Sequence, residues 1–314
     1  MPSPKEIASL RLFFKKGAIF LVPFLLYAAL IVALDPFEYF GISHLIDHRI
    51  KSKTAGKLHY PLWKSIQFLK DPRPNILLGD SRMDLVSAAT VEQLTGERYF
   101  NFSYGGGTIP EMVDTFWFAD RHVELQKIYF GIGFINFNRF QNMNRFSESQ
   151  AILKNPLLYL TNRIVAKAAV YGVVSQIRGA PVGIERPPMD REAFWRYQLG
   201  PATAAHYNRF KYPPEHLEAL RTVAERCSEE GIQLTFVIPP SHVDLQAKIA
   251  EFGLTELAER FRRDLRSLGR VVDFDFPNAY TRDRANFSDP YHFHPTPMIV
   301  EQMLSDAPDP RYAR

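Results

Sequence analysis

A single cysteine, Cys227, stands in 314 residues. The chain therefore builds no intramolecular disulfide, no cysteine-based zinc site and no iron–sulfur cluster. Its setting, RTVAERCSEEG, is a polar helical pattern in which a packed free thiol is expected. Also missing is any long basic block or alternation of aromatic and basic residues. The formal charge of +4 comes from Lys and Arg interspersed with acids, which describes a solvated surface rather than a nucleic-acid interface. No lysine follows the glycine run Gly105–Gly107, which argues against a phosphate loop. Internal repeats and low-complexity tracts are absent. What remains, 46% hydrophobic and 13% aromatic, suits a packed core, and a chain of this size needs no disulfides to hold one.

Charge is lacking altogether in one place. Gly17 to Leu34, GAIFLVPFLLYAALIVAL, is eighteen residues without one charge, close to the roughly 20 that cross a bilayer. Pro23 lies inside it, which a membrane helix tolerates better than a soluble one. Lys5, Arg11, Lys15 and Lys16 precede the run, and Asp35 and Glu38 follow it. The positive-inside rule then places the N-terminus in the cytoplasm and everything after Asp35 outside. A cleaved signal peptide is the rival, but the run ends Val-Ala-Leu-Asp-Pro rather than in an A-x-A pattern; a buried soluble helix is the third possibility. Residues 1–42 are thus a cytoplasmic tail and signal anchor, and 43–314 an extracytoplasmic domain.

After a helix-prone collar to about Arg73, short apolar runs alternate with helix-length amphipathic segments. NILLGD, RYFNFS, KIYFGIGF, IQLTFVIP and RVVDFD read as five strands. The segments 108–122, HLEALRTVAERCSEEG and a helix from about Val243 to Leu268 lie between or beside them. That rhythm predicts a parallel sheet covered by helices. A break at about 138–213 holds an amphipathic helix pair, NPLLYLTNRIVAKAAVYGVVSQIRG, and the proline-rich APVGIERPPMD. It is either an insertion packed on the sheet edge or a lid or partner surface.

Open parallel sheets bind ligands at the carboxyl ends of their strands. There the chain has Gly79-Asp80-Ser81-Arg82, Asn101 to Gly107, Gly131 to Asn136 and Pro239-Pro240-Ser241-His242, with SDPYHFHP beyond the fifth strand. Ser81 by itself reads as a turn or helix cap rather than as a nucleophile. As a nucleophile it needs a base and something to orient that base. Asp289-Pro290-Tyr291-His292 offers both across a turn, before Thr296-Pro297 opens a helix as N-cap and first residue. His294, two positions on, is the alternative base and points elsewhere if the chain is extended. Asp289, His292 and His294 also admit a metal reading, without a further ligand in view. An oxyanion needs donors: the Ser81 amide, Gly106 beside the capping box Thr108–Glu111, and Asn136 are the candidates.

These residues resemble the SGNH/GDSL hydrolase superfamily, in particular its membrane-anchored bacterial proteins related to alginate O-acetylation and teichoic-acid D-alanylation. The resemblance rests on GDS at Gly79 to Ser81, the glycine of NFSYGGGT at Gly106 and the D-x-x-H of Asp289 to His292, and covers about Pro74 to Ser305. It implies a flavodoxin-like, doubly wound five-stranded fold, with Ser81 as nucleophile, His292 as base and Asp289 as orienting acid. Ser81, Gly106 and Asn136 would form the oxyanion hole, with no metal or organic cofactor. The third block departs from the family's G-x-N-D: two residues separate Gly133 from Asn136, and no Asp follows. Asp80 is expected to be a structural hydrogen-bonder. The expected activity is an esterase or O-acyltransferase on acyl esters of an envelope glycan or another acylated small substrate, working with the membrane and an integral-membrane acyltransferase. The alternative is a non-catalytic scaffold of the same fold that binds a glycan or such a partner. Phe194, Trp195 and Tyr197 are read as core, with stacking on sugar rings as the alternative.

Overall fold

The computed structural model describes residues 4–182 and 189–314, with side chains from residue 11. The middle of the proline-rich run 180–190 lies outside the described residues. The chain forms two compact units, Met1–Ile66 with Ser149–Glu185, and Gln67–Glu148 with Arg186–Arg314.

The second unit is built on one all-parallel sheet. Its strands are β1 (Asn75–Leu78), β2 (Tyr99–Asn101), β3 (Lys127–Gly131), β4 (Gln233–Ile238) and β5 (Arg270–Asp273). Their order, β2-β1-β3-β4-β5, is the flavodoxin-like order. The five expected strands are the five observed. Register aligns Leu78 with Phe130, Gly131 with Val237 and Ile238 with Asp273, so the segments leaving β1, β3, β4 and β5 all emerge at one edge. Side chains alternate between the two faces. Leu77, Val237 and Val272 join Met83, Ile299, Val300 and Met303 on one side, while Ile76, Phe130 and Phe236 are buried on the other. Burial of both faces explains why the strands read as continuous apolar runs.

One expected helix is two. The stretch from Val243 to Leu268 folds as Val243–Glu251 and Thr255–Arg266. Gly253 adopts φ +68°, and the amide of Leu254 reaches back to the Ile249 carbonyl at 2.8 Å, a closure that a left-handed glycine permits and that ends a helix. Cys227 is buried in the helix Pro214–Glu229.

The first unit is helical. Pro4–Leu34 is one helix with Pro23 inside it, and its Arg11–Leu34 stretch is long and apolar enough to cross a membrane. Ile31 packs with Phe37, Ala55, Leu62, Tyr159, Val165 and Ala168. These come from the helices His48–Leu58, Tyr60–Lys70, Pro156–Thr161 and Arg163–Arg178 and the turn after the first helix. The expected helix pair of the break is therefore present.

Candidate active site

Leaving β1, the chain passes Gly79 and turns at Asp80, whose side chain caps the short helix Ser81–Asp84 by accepting the Arg82 amide at 2.9 Å. A Cβ at Gly79 or at Gly131 would run into the Met83 side chain. The two glycines thus let Met83 lie across the ends of β1 and β3. Ser81 is half-buried, and its Oγ lies 2.8 Å from His292 Nε2. His292 Nδ1 lies 2.7 Å from Asp289 Oδ2. Asp289 is buried, and its Oδ1 accepts the amides of Tyr291 and His292 at 2.9 and 3.2 Å. A carboxylate only accepts, so Nδ1 carries the imidazole proton and the Nε2 lone pair faces the Ser81 hydroxyl.

The loop that carries Asp289 and His292 is held by two neighbouring segments and by a bond of its own. His242 N donates to Pro290 O at 3.0 Å, and Ser288 N donates to His292 O at 2.9 Å. Tyr291 OH and Thr203 Oγ1 lie 2.7 Å apart. Phe287 and Phe293 form an isolated antiparallel bridge, and His294 lies beyond it. The exposed His294 Nδ1 faces the Ala285 carbonyl at 3.1 Å. Among the described residues no group of three or more His, Cys, Asp or Glu side chains could hold a metal ion.

The glycine run lies against the nucleophile loop. Gly107 N closes a turn on Tyr104 O at 2.9 Å, and Tyr104 N donates to Gly79 O at 3.0 Å. A Cβ on Gly107 would come within 3.0 Å of Gly79 O and 3.3 Å of Asp80 Cα, so the closest backbone approach belongs to Gly107. Gly106, at φ +65°, is the exposed corner of that turn. The helix Ile109–Asp120 follows, with the Thr108–Glu111 capping box formed. Buried Glu111 also pairs with Arg145 at 2.7 Å, and Arg145 Nη2 holds Gly105 O at 3.1 Å.

Asn136 ends a short 3-10 turn after β3. Its Oδ1 accepts from Gly133 N at 3.0 Å and from Arg82 Nη2 at 2.6 Å, and its Nδ2 donates to Gly107 O at 3.3 Å. Three of the candidates, Ser81, His292 and Asp289, therefore meet directly. Asn136 joins them through Arg82 and Gly107, and Gly106 stands one residue from that contact. The position after Asn136 is Phe137, a buried ring packed on Tyr212 and Phe261.

Arg82 ties the nucleophile loop to the segment that leaves β3. It forks onto Asp80, Nη2 to Oδ2 at 2.7 Å and Nε to both oxygens at 3.1 Å, while Nη2 also serves Asn136. A Cβ on Gly133 would collide with the guanidinium, a signal the sequence does carry as a glycine two residues past a buried strand. Burial pushes the Asp80 carboxyl up, but the Arg82 charge, its hydrogen bonds and the Asn136 amide outweigh burial and hold it below the usual range. Asp80 is thus the structural hydrogen-bonder its position suggests.

No family model matches the chain, and no curated protein matches it in sequence. Among solved structures, a protein from Streptococcus pneumonia provisionally described as a platelet activating factor aligns with a TM-score of 0.41 at 10% identity, over 81% of this chain and 93% of that one.

Proposed function

We propose that this chain is a membrane-tethered serine esterase or O-acyltransferase of the SGNH type, acting on acyl esters of a cell-envelope glycan. The observation that carries the proposal is the unbroken relay from Ser81 Oγ through His292 to Asp289, at 2.8 and 2.7 Å. Ser81 Oγ attacks the ester carbonyl carbon as its proton passes to His292 Nε2, and Asp289 stabilises the imidazolium. The developing oxyanion takes donors from the Ser81 amide, the Gly106 amide and the Asn136 Nδ2 hydrogen not given to Gly107. Collapse breaks the C–O bond, His292 returns the proton to the leaving alkoxide, and the acyl group stays on Ser81. Water then completes hydrolysis, or a sugar hydroxyl completes transfer, by the same proton route in reverse.

The test is covalent labelling of the full-length protein with a serine-directed fluorophosphonate. Wild type is expected to label and Ser81→Ala to remain blank; a blank wild type, or equal labelling of both, defeats the catalytic reading and leaves a scaffold. Acetate release from acetylated sugars should fall by roughly four orders of magnitude in Asp289→Asn, the size of effect seen when a triad acid loses its charge.

A further inference from the structure

The helix Pro4–Leu34 ends in a built corner. Asp35 is buried at φ +40°. Its Oδ2 accepts the amides of Phe40 and Gly41 at 3.1 and 2.8 Å, and its Oδ1 accepts the Tyr159 hydroxyl at 3.1 Å. Ser43 Oγ donates to the Ala33 carbonyl. Two separate segments, the loop 41–45 and the helix Pro156–Thr161, are thereby bonded to the last turn of the apolar helix. Both present large apolar side chains to solvent: Ile42 is 68% exposed, Leu45 65%, Leu157 71% and Leu158 44%.

Depth and charge identify what covers them. Gly17 to Leu34, eighteen residues, spans about 27 Å at about 1.5 Å per residue, against a hydrocarbon core of about 30 Å. Leu34 therefore stands at the edge of that core, and the groups bonded to Ala33 and Asp35 stand at headgroup depth. The helix Pro156–Thr161 is bracketed by the exposed cations Lys154 and Arg163. From Ser149 to Val182 the chain has four basic residues and no acidic one. Leucines flanked by cations beside a membrane helix are the composition of an interfacial segment.

We propose that this corner is a second, interfacial membrane contact. The loop 41–45 and the helix Pro156–Thr161 lie in the headgroup layer of an anionic leaflet, with Leu157 and Leu158 at the acyl boundary and Lys154 and Arg163 on lipid phosphates. The contact rests on the first helix spanning the bilayer and is independent of the chemistry at Ser81.

The experiment uses the full-length chain with Cys227→Ala and a single new cysteine, Ile42→Cys, Leu157→Cys or, as control, Leu94→Cys, an exposed leucine of the sheet unit. Each is labelled with an environment-sensitive fluorophore in nanodiscs of phosphatidylcholine, with and without phosphatidylglycerol, containing lipids that carry a nitroxide at the headgroup or shallow on the acyl chain. Labels at 42 and 157 are expected to be quenched several-fold more than the label at 94. Phosphatidylglycerol should strengthen that quenching, and Lys154→Glu with Arg163→Glu should abolish the strengthening. Incorporated protein with labels at 42 and 157 no more quenched than at 94 overturns the contact and leaves an integral-membrane protein as the occupant. Failure to incorporate at all overturns the spanning helix as well.

Discussion

Arg82 couples the nucleophile loop to the third strand end through one guanidinium nitrogen shared between Asp80 and Asn136. Lysine cannot reproduce a fork that binds a carboxylate with two nitrogens. Arg82→Lys is accordingly expected to lower kcat more than it raises KM in the ester assay. Arg82→Ala leaves a buried carboxylate unpaired and should cost about 3–5 kcal/mol in urea unfolding. Asn136→Ala removes a proposed oxyanion donor and should cost about a hundred- to a thousandfold in kcat; an unchanged kcat assigns Asn136 to loop architecture alone. Asp80 also sets a pH dependence. Its folded pKa lies below the ordinary value, so its contribution to stability is complete above about pH 3.9 and is lost as pH falls through the lowered native value. Urea midpoints of wild type and Asp80→Asn should therefore differ most near neutrality and converge in acid.

At the scale of elements, glycines mark where loops touch. Gly133→Ala drives a methyl group into the Arg82 guanidinium, and the variant should lose both thermal stability and ester turnover. Gly106→Ala meets no atom within 4 Å but forces a side chain into a left-handed backbone, a milder strain on the order of 1 kcal/mol. The helix Pro214–Glu229 buries Cys227, and that burial, aided by the nearby Asp120 charge, pushes the thiol up to about 12. A thiol so placed should resist disulfide-exchange reagents in the native protein and react promptly in denaturant; fast native labelling contradicts that packing.

Over the whole molecule the charge is segregated. The unit Met1–Ile66 with Ser149–Glu185 carries 13 Lys and Arg against 5 Asp and Glu, net +8, and the sheet unit carries 25 against 29, net −4. The modest total of +4 thus conceals a basic unit that contains the apolar helix. Basic character gathered beside a helix long and apolar enough to cross a membrane suits an anionic lipid surface better than a nucleic acid. Alkaline carbonate extraction should leave the protein in the membrane pellet. A C-terminal alkaline phosphatase fusion should be active, and an inactive one reverses the proposed orientation.

The sequence by itself determined the five strands, their parallel arrangement and the apolar helix, because each depends on a periodicity of side chains along a short stretch. It also marked Asp289 and His292 as partners, since three residues across a proline turn leave those side chains little room to avoid each other. The break in Val243–Leu268 escaped it because one glycine in a helical pattern is locally tolerable; only the backbone's left-handed turn at Gly253 ends the helix. The tertiary structure alone decided that Gly107 makes the backbone approach and that Arg82 holds Asn136. It alone joined residues 149–182 to the unit of the N-terminal helix. Those facts depend on loops separated by tens of residues along the chain coming into contact, and no local pattern encodes which loop a guanidinium will reach.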